Sequence, residues 1–146
     1  MRSPAIITNL IRLTVLDLKY TLLMGGIPNW LMKITQLHRS SLEGDQLDGP
    51  ITSFRISRHT NLERLSLFDN RDLNGNFDAF LMLSLLKQLK ISCVKLIFLS
   101  KYANNELVPV LNMLELHSCN VTEFSSKTNF QLKQYHIVHK TLTYLL

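Results

Sequence analysis

The chain repeats itself about every 24 residues, and this repeat restricts its fold more than any other feature. A shift by one repeat places Leu18 on Leu42 and Gly25 on Gly49. The leucine positions of the five units are Leu13-Leu16-Leu18, Leu37-Ser40-Leu42, Leu62-Leu65-Leu67, Leu86-Leu89-Ile91 and Leu111-Leu114-Leu116. An internal repeat of this length is typical of a solenoid, in which each unit forms one coil that contacts mainly its neighbours.

The spacing within a unit predicts a short strand with one buried face. In Leu16-Asp17-Leu18 the two leucines alternate with a polar residue, which is the period of a half-buried strand. Leucine makes up 29 of the 146 residues, and stacked coils explain this excess because no single coil encloses its own apolar face. The predicted structural core includes one leucine or isoleucine from each unit: Leu18, Leu42, Leu67, Ile91 and Leu116.

Composition excludes several other kinds of protein. The chain is 46% hydrophobic and 18% charged, so it carries enough apolar surface to fold. The segment 81–99 is the most apolar, but its three lysines exclude a membrane span, and residues 1–13 contain no apolar run of signal-peptide length. The net charge of +5 comes from dispersed Lys and Arg residues, which does not favour nucleic-acid binding.

Polar residues that follow each predicted strand give further expectations. One position of the repeat, held here by Asp45 or Asn70, is suited to bond backbone groups where the chain leaves the strand, and Val94 interrupts this series. Ser40 stands at a leucine position, so we expect the second coil to be under-filled and soft. Cys93 and Cys119 lie at places in their units that differ by one residue, which favours two free, half-buried thiols over a disulfide.

These sequences resemble the plant-type leucine-rich repeat, whose frame ends in LxGxIP. The resemblance is carried by LTVLDLKYTLLMGGIPNWL, LEGDQLDGPI and LERLSLFDNRDLNGNF. GIPNWL and LELHSCNVTEF are similar in particular to ectodomains of plant receptor-like proteins and receptor kinases. The fold implied is an α/β solenoid of about five repeats, with short parallel β-strands on the concave face and 3₁₀ or irregular segments on the convex face.

The resemblance also divides the chain. Residues 1–124 are the leucine-rich repeat region, and residues 125–146, apolar and outside the repeat frame, are a degenerate or truncated final repeat. We do not find the paired-cysteine caps, signal peptide, transmembrane helix or kinase domain of the family in this sequence. We therefore expect an uncapped fragment of a longer protein.

The residues that carry chemistry in enzymes form no recognisable site here. No nucleophile–base constellation, phosphate-binding loop or cofactor fingerprint occurs, so we predict no enzyme, no catalytic residue and no cofactor. His136 and His139 lack a third ligand, so no metal site is predicted. Asn120 begins an N-glycosylation acceptor, which is available for modification if the parent protein is secreted.

The exposed positions beside the leucines are the candidate binding surface. Aromatic, arginine and other large side chains there suit protein recognition. The candidates are Tyr20, Arg39, Arg64, Phe68, Lys90 and His117. Members of the family lie on the extracellular side of the plasma membrane and bind peptides, microbial ligands or co-receptors, often in defence. The resemblance therefore implies a non-catalytic module that binds a protein or peptide ligand and a co-receptor. The alternatives are a polygalacturonase-inhibitor-like wall protein, an intracellular leucine-rich repeat adaptor, or a non-functional truncated gene product.

Overall fold

Successive strands of the chain alternate between two parallel sheets. The computed structural model describes residues 11–51, 61–70, 72–76, 80, 83–93, 95–97, 111–122, 134–138 and 141–142. The strands of the first sheet are β1 Val15–Asp17, β3 Arg39–Ser41, β5 Arg64–Leu67, β7 Gln88–Ser92, β9 Met113–His117 and β11 Gln134–Val138. The strands of the second sheet are β2 Met24–Gly25, β4 Gln46–Pro50, β6 Asp72–Asn76, β8 Lys95–Ile97, β10 Asn120–Thr122 and β12 Thr141–Leu142.

Each sheet follows the sequence repeat. In the first sheet the order is β1-β3-β5-β7-β9-β11, so every strand pairs with the strand one repeat away, and all pairs are parallel. This is the coil that the internal repeat predicts. It is also the sheet that the sequence analysis assigns to the concave side, and we call its outward surface the concave face.

The opposite side of the coil is more regular than the sequence predicts. A 3₁₀ helix, Asn29–Lys33, lies there as expected. The second sheet, with the order β12-β10-β8-β6-β4-β2, was not predicted. Its strands are two to five residues long, and Gly25, Gly49 and Gly75 lie within them. Because glycine is typical of turns, the sequence indicates turns at places where the backbone forms strands.

The leucines of successive coils fill the space between the two sheets. Along β5 burial alternates, with Leu65 and Leu67 buried and the residues beside them exposed or half-buried. Leu67 lies beside Ile91, which lies beside Leu116, and each is at most 1% exposed. Leu42 is also fully buried, whereas Leu18, in the first described coil, is half-buried against the same cluster.

Polar side chains at the end of the strand bond neighbouring coils to each other. Asn70 Oδ1 accepts a hydrogen bond from the backbone N–H of Leu47 at 3.1 Å, and its Nδ2 donates to the Leu42 carbonyl at 2.9 Å. Asp45 Oδ1 accepts from the backbone N–H of Thr21 at 2.9 Å in the coil before. Each of these side chains satisfies buried backbone groups of the preceding coil, which is the role predicted for this position.

Two expectations concern places where this pattern is interrupted. Val94 lies outside the described residues. Ser40 is 2% exposed, and its hydroxyl has no hydrogen-bond partner in the part of the chain that the structure describes. Its strand still pairs on both sides, with β1 and with β5. That the second coil is soft stays a prediction.

The last described strands continue both sheets. β11 pairs with β9 along five residues, from Gln134 beside Met113 to Val138 beside His117. β12 pairs with β10. The segment 125–146, interpreted above as a degenerate or truncated repeat, therefore contributes a sixth strand to each sheet, although its sequence has left the leucine frame. The boundary at residue 124 stays a prediction.

The prediction of two free thiols is wrong, because Cys93 and Cys119 form a disulfide. Their Cα atoms are 4.7 Å apart, and both residues are 3% exposed. Cys119 stands one residue further along its unit, but the residue before it, Ser118, takes a left-handed backbone conformation with a φ of 53°. Ser92 pairs with His117 and Lys95 pairs with Asn120, so the strands on both sides of the cysteines are in register and hold the two coils side by side.

The same left-handed position recurs in other coils. The residue before the polar position is left-handed in four of the described coils, at Tyr20, Gly44, Asp69 and Ser118. In the fourth repeat unit the equivalent residue is Cys93, whose φ is not positive. The disulfide thus joins the coil without this left-handed residue to the next coil, which has one.

We predict that the disulfide can be detected and that it stabilises the fold. Alkylation of the unfolded, unreduced protein should modify neither cysteine, and reduction should lower the free energy of unfolding by about 3 kcal/mol, because the bond closes a loop in the unfolded chain. The measurement is mass spectrometry after alkylation, together with urea unfolding with and without a reductant. The Cys93→Ser/Cys119→Ser variant is the control, because a reductant should not change its stability. Two alkylated cysteines in the unreduced protein would contradict the assignment.

Candidate functional site

The concave face presents its outward side chains in rows, because adjacent strands are in register. The first row runs through Val15, Arg39, Arg64, Gln88 and Met113. The second row runs through Asp17, Ser41, Ser66, Lys90 and Glu115. Each row places residues that are one repeat apart in the sequence side by side on one rigid surface.

A hollow of about 150 Å³ lies on this face over β3 and β5. Four cationic side chains, Lys19, Arg39, Arg64 and Lys90, border it, together with Glu43. Arg39 lies directly beside Arg64 in the sheet register, and both residues are exposed. The surface of the hollow therefore carries more positive than negative charge.

The four cations differ in whether they have a partner. Lys19 Nζ is 3.5 Å from Glu43 Oε2, and Lys90 Nζ is 3.1 Å from Glu115 Oε2. Neither Arg39 nor Arg64 forms an ion pair with any residue that the structure describes. The lysines at the two sides of the hollow are thus each paired with a glutamate, and the two arginines between them have no such pair among the described residues.

A second group of predicted residues meets on the same face. The rings of Phe68 and His117 contact edge to face, with centroids 4.5 Å apart and planes at 74°. Glu115 links this pair to Lys90, since its Oε2 is 3.8 Å from His117 Nε2 and 3.1 Å from Lys90 Nζ. Phe68, Lys90 and His117 therefore form one cluster beside the hollow, which Lys90 also borders.

Tyr20 lies apart from these residues, in the first described coil. It is 63% exposed and has a φ of 56°. Its ring lies over Gly44 of the next coil, where a Cβ atom would clash with it. Tyr20 thus presents an exposed aromatic ring, but the structure does not bring it to the hollow.

One further ion pair lies just before the strands of this sheet. Lys87 Nζ donates to Glu63 Oε2 at 2.8 Å, and this hydrogen bond, with the lysine charge, lowers the pKa of Glu63 below its usual value. A carboxyl whose pKa is lower in the folded protein stabilises the fold above its ordinary pKa and loses that contribution as the pH falls. Because Glu63 is exposed to solvent, we assign it a minor role.

The sequence analysis missed part of this site. Lys19 was not among the candidates, although it follows a strand in the same way as Glu43. Ser41 alternates with the leucine positions, which predicts an exposed outward residue, but it is only 3% exposed, and its hydroxyl has no partner among the described residues.

The other predicted features are placed as follows. Asn120 begins β10 in the second sheet, and its side chain lies outside what the structure describes. Within the described residues, no three His, Cys, Asp or Glu side chains come together as metal ligands. None of the described helices has the length and apolar character needed to cross a membrane.

Comparison with known proteins identifies the fold. Internalin C2 from Listeria monocytogenes superposes with a TM-score of 0.69 at 22% identity, over 90% of this chain and 54% of that one. The BIR2 ectodomain from Arabidopsis thaliana superposes with a TM-score of 0.58 at 20% identity, over 82% of this chain and 67% of that one. The chain folds as a leucine-rich repeat solenoid.

The sequence is also similar to that of a plant protein. Receptor-like protein 31 from Arabidopsis thaliana is 33% identical over 73 residues, which are 50% of this chain. The matched part is 8% of the length of that relative. No family model matches the chain. The similarity confirms the resemblance to plant receptor-like leucine-rich repeat proteins that the repeat frame indicated.

We predict that Gly44→Ala is more destabilising than Gly49→Ala. Both glycines have positive φ, 70° and 82°, so each substitution strains the backbone by about 1–2 kcal/mol. The added Cβ meets the Tyr20 ring at Gly44 and nothing within 4 Å at Gly49, which adds about 1 kcal/mol or more at Gly44. Urea unfolding measures the difference.

The Tyr20→Ala background is the control for this comparison. There the two glycine substitutions should have similar effects, because the ring that the Cβ meets is gone. Equal losses of stability in the wild-type background would show that Tyr20 does not pack over Gly44.

Proposed function

We propose that this chain is a non-catalytic binding module whose concave face recognises a protein or peptide ligand. The observation that carries the proposal is the pair Arg39 and Arg64, which form no ion pair with a described residue and lie beside the cluster of Phe68, Lys90 and His117. Arginine and aromatic side chains contribute most of the binding energy in protein interfaces. Here they stand on or directly after the strands of a hydrogen-bonded sheet, so little ordering of the backbone is needed when a ligand binds.

The size of the hollow supports a macromolecular ligand. Pockets that enclose small molecules have volumes of about 300–1,000 Å³. The hollow of about 150 Å³ is smaller and accommodates one side chain of a larger partner. The surrounding rows of exposed residues supply the additional contact area that a peptide or protein would cover.

The parent that we propose is a plant receptor-like protein acting in defence or peptide signalling, with its repeats on the extracellular side of the plasma membrane. The similarity to Receptor-like protein 31 and to the BIR2 ectodomain supports this proposal. The disulfide adds support, because disulfides persist in oxidising compartments and are rare in the cytosol. This disfavours an intracellular adaptor. Glycosylation of Asn120 and binding of a co-receptor belong to the same proposal.

Selection of peptides on the purified chain tests the proposal. A random peptide library displayed on phage should yield binders, and their affinity should fall about tenfold or more in the concave variants Arg64→Ala and Phe68→Ala. Substitutions of exposed residues on the second sheet, Gln46→Ala and Lys95→Ala, are the matched controls and should leave affinity unchanged. Titration calorimetry measures each affinity.

Two results would overturn the proposal. One is a library whose only binders also bind the reduced, unfolded chain. The other is a set of binders that lose affinity in the second-sheet variants and not in the concave ones.

A further inference from the structure

We propose that the hollow over β3 and β5 binds a carboxylate group, supplied by an acidic residue of the ligand. This inference rests on the proposed function, since it assigns the chemistry of one contact on the same face. The structure carries it through two independent observations among the described residues, which are an arginine pair without an ion-pair partner and a buried hydroxyl without a hydrogen-bond partner.

The first observation concerns charge. Arg39 and Arg64 are neighbours in register on adjacent strands, where like charges repel each other and destabilise the pair. The nearby carboxylate does not relieve this repulsion, because Glu43 Oε2 pairs with Lys19 and accepts from the Ser66 hydroxyl at 3.3 Å. Arg64 also interacts electrostatically with Glu63, but Glu63 Oε2 pairs with Lys87. An anion that enters between the two arginines therefore supplies an ion-pair partner that neither has among the described residues.

The second observation concerns a buried hydroxyl group that borders the hollow. Ser41 borders the hollow and is only 3% exposed, and its Oγ makes no hydrogen bond with any described residue. Buried hydroxyl groups in native proteins nearly always have a partner. Because this oxygen is covered, a ligand oxygen in the hollow accepts from the hydroxyl once a neighbouring side chain moves aside.

The two observations together favour a carboxylate over a neutral group. Guanidinium groups bind carboxylates through paired, charge-assisted hydrogen bonds, and a carboxylate has a second oxygen to accept from a hydroxyl such as that of Ser41. A neutral side chain of similar size would leave the repulsion between the arginines in place. The hollow of about 150 Å³ is large enough for the end of an aspartate or glutamate side chain.

The test compares peptides selected on two forms of the chain. Peptides selected on the wild-type chain should be enriched in Asp or Glu at one position, and this enrichment should disappear on the Arg39→Gln/Arg64→Gln variant. The Arg12→Gln variant is the matched control, because Arg12 is exposed and does not border the hollow. It should select the same acidic position as the wild type.

Calorimetry with one selected peptide completes the test. Replacing its acidic residue by the amide should raise the Kd about tenfold or more on the wild-type chain. The same replacement should have little effect on the Arg39→Gln/Arg64→Gln variant, because the charges that recognise the carboxylate are absent. Ser41→Ala should weaken binding of the acidic peptide by about threefold or more, with Ser84→Ala as its exposed control.

The outcomes separate this inference from the proposed function. If no peptide is selected, the proposed function fails. If peptides bind the concave face without an acidic preference, or if the amide peptide binds as tightly as the acid, the function stands and the carboxylate site is wrong. If Arg12→Gln weakens the acidic peptide as much as the arginine pair does, the attraction is a general effect of net charge, and the inference is also overturned.

Discussion

Burial of leucine between successive coils is the interaction on which the rest of this structure depends. A single coil exposes its apolar face until a neighbour covers it, so every described coil is stabilised by the next one. The row from Leu67 through Ile91 to Leu116 is the result, because parallel register places equivalent residues side by side. The register that buries the leucines also aligns the outward residues. The concave face is thus a consequence of the core.

Polar and covalent bonds between coils add to this burial where the chain leaves the first sheet. Asn70 and Asp45 satisfy backbone groups of the coil before, and the Cys93–Cys119 disulfide joins the two coils whose bends differ. Such groups bury little apolar surface, but a buried backbone group without a hydrogen-bond partner lowers the stability of the fold. They therefore fix which coil lies against which and hold the strands of the concave face in place.

The repeat in the sequence was sufficient to predict the coil, the parallel strands and the leucines that face inward, because period and burial are coupled directly. The second sheet and the disulfide were missed for one physical reason. Both depend on backbone conformation between strands, and the left-handed bend occurs at residues as different as Tyr20, Asp69 and Ser118. The candidate site was found in part. Exposure of Arg39 and Arg64 follows from alternation, but alternation alone predicts that Ser41 is exposed too, and the structure buries it.

The account is tested most directly by two adjacent residues of β5 that differ in the face they occupy. Leu65 is 2% exposed, whereas Arg64 points outward. Circular dichroism melts of Leu65→Asp should show no cooperative transition, because the substitution places an unpaired charge in the leucine core. Arg64→Ala should change stability by no more than about 0.5 kcal/mol, as exposed substitutions do. Equal damage from the two substitutions would contradict the assignment of inward and outward faces, and with it the stacked coil.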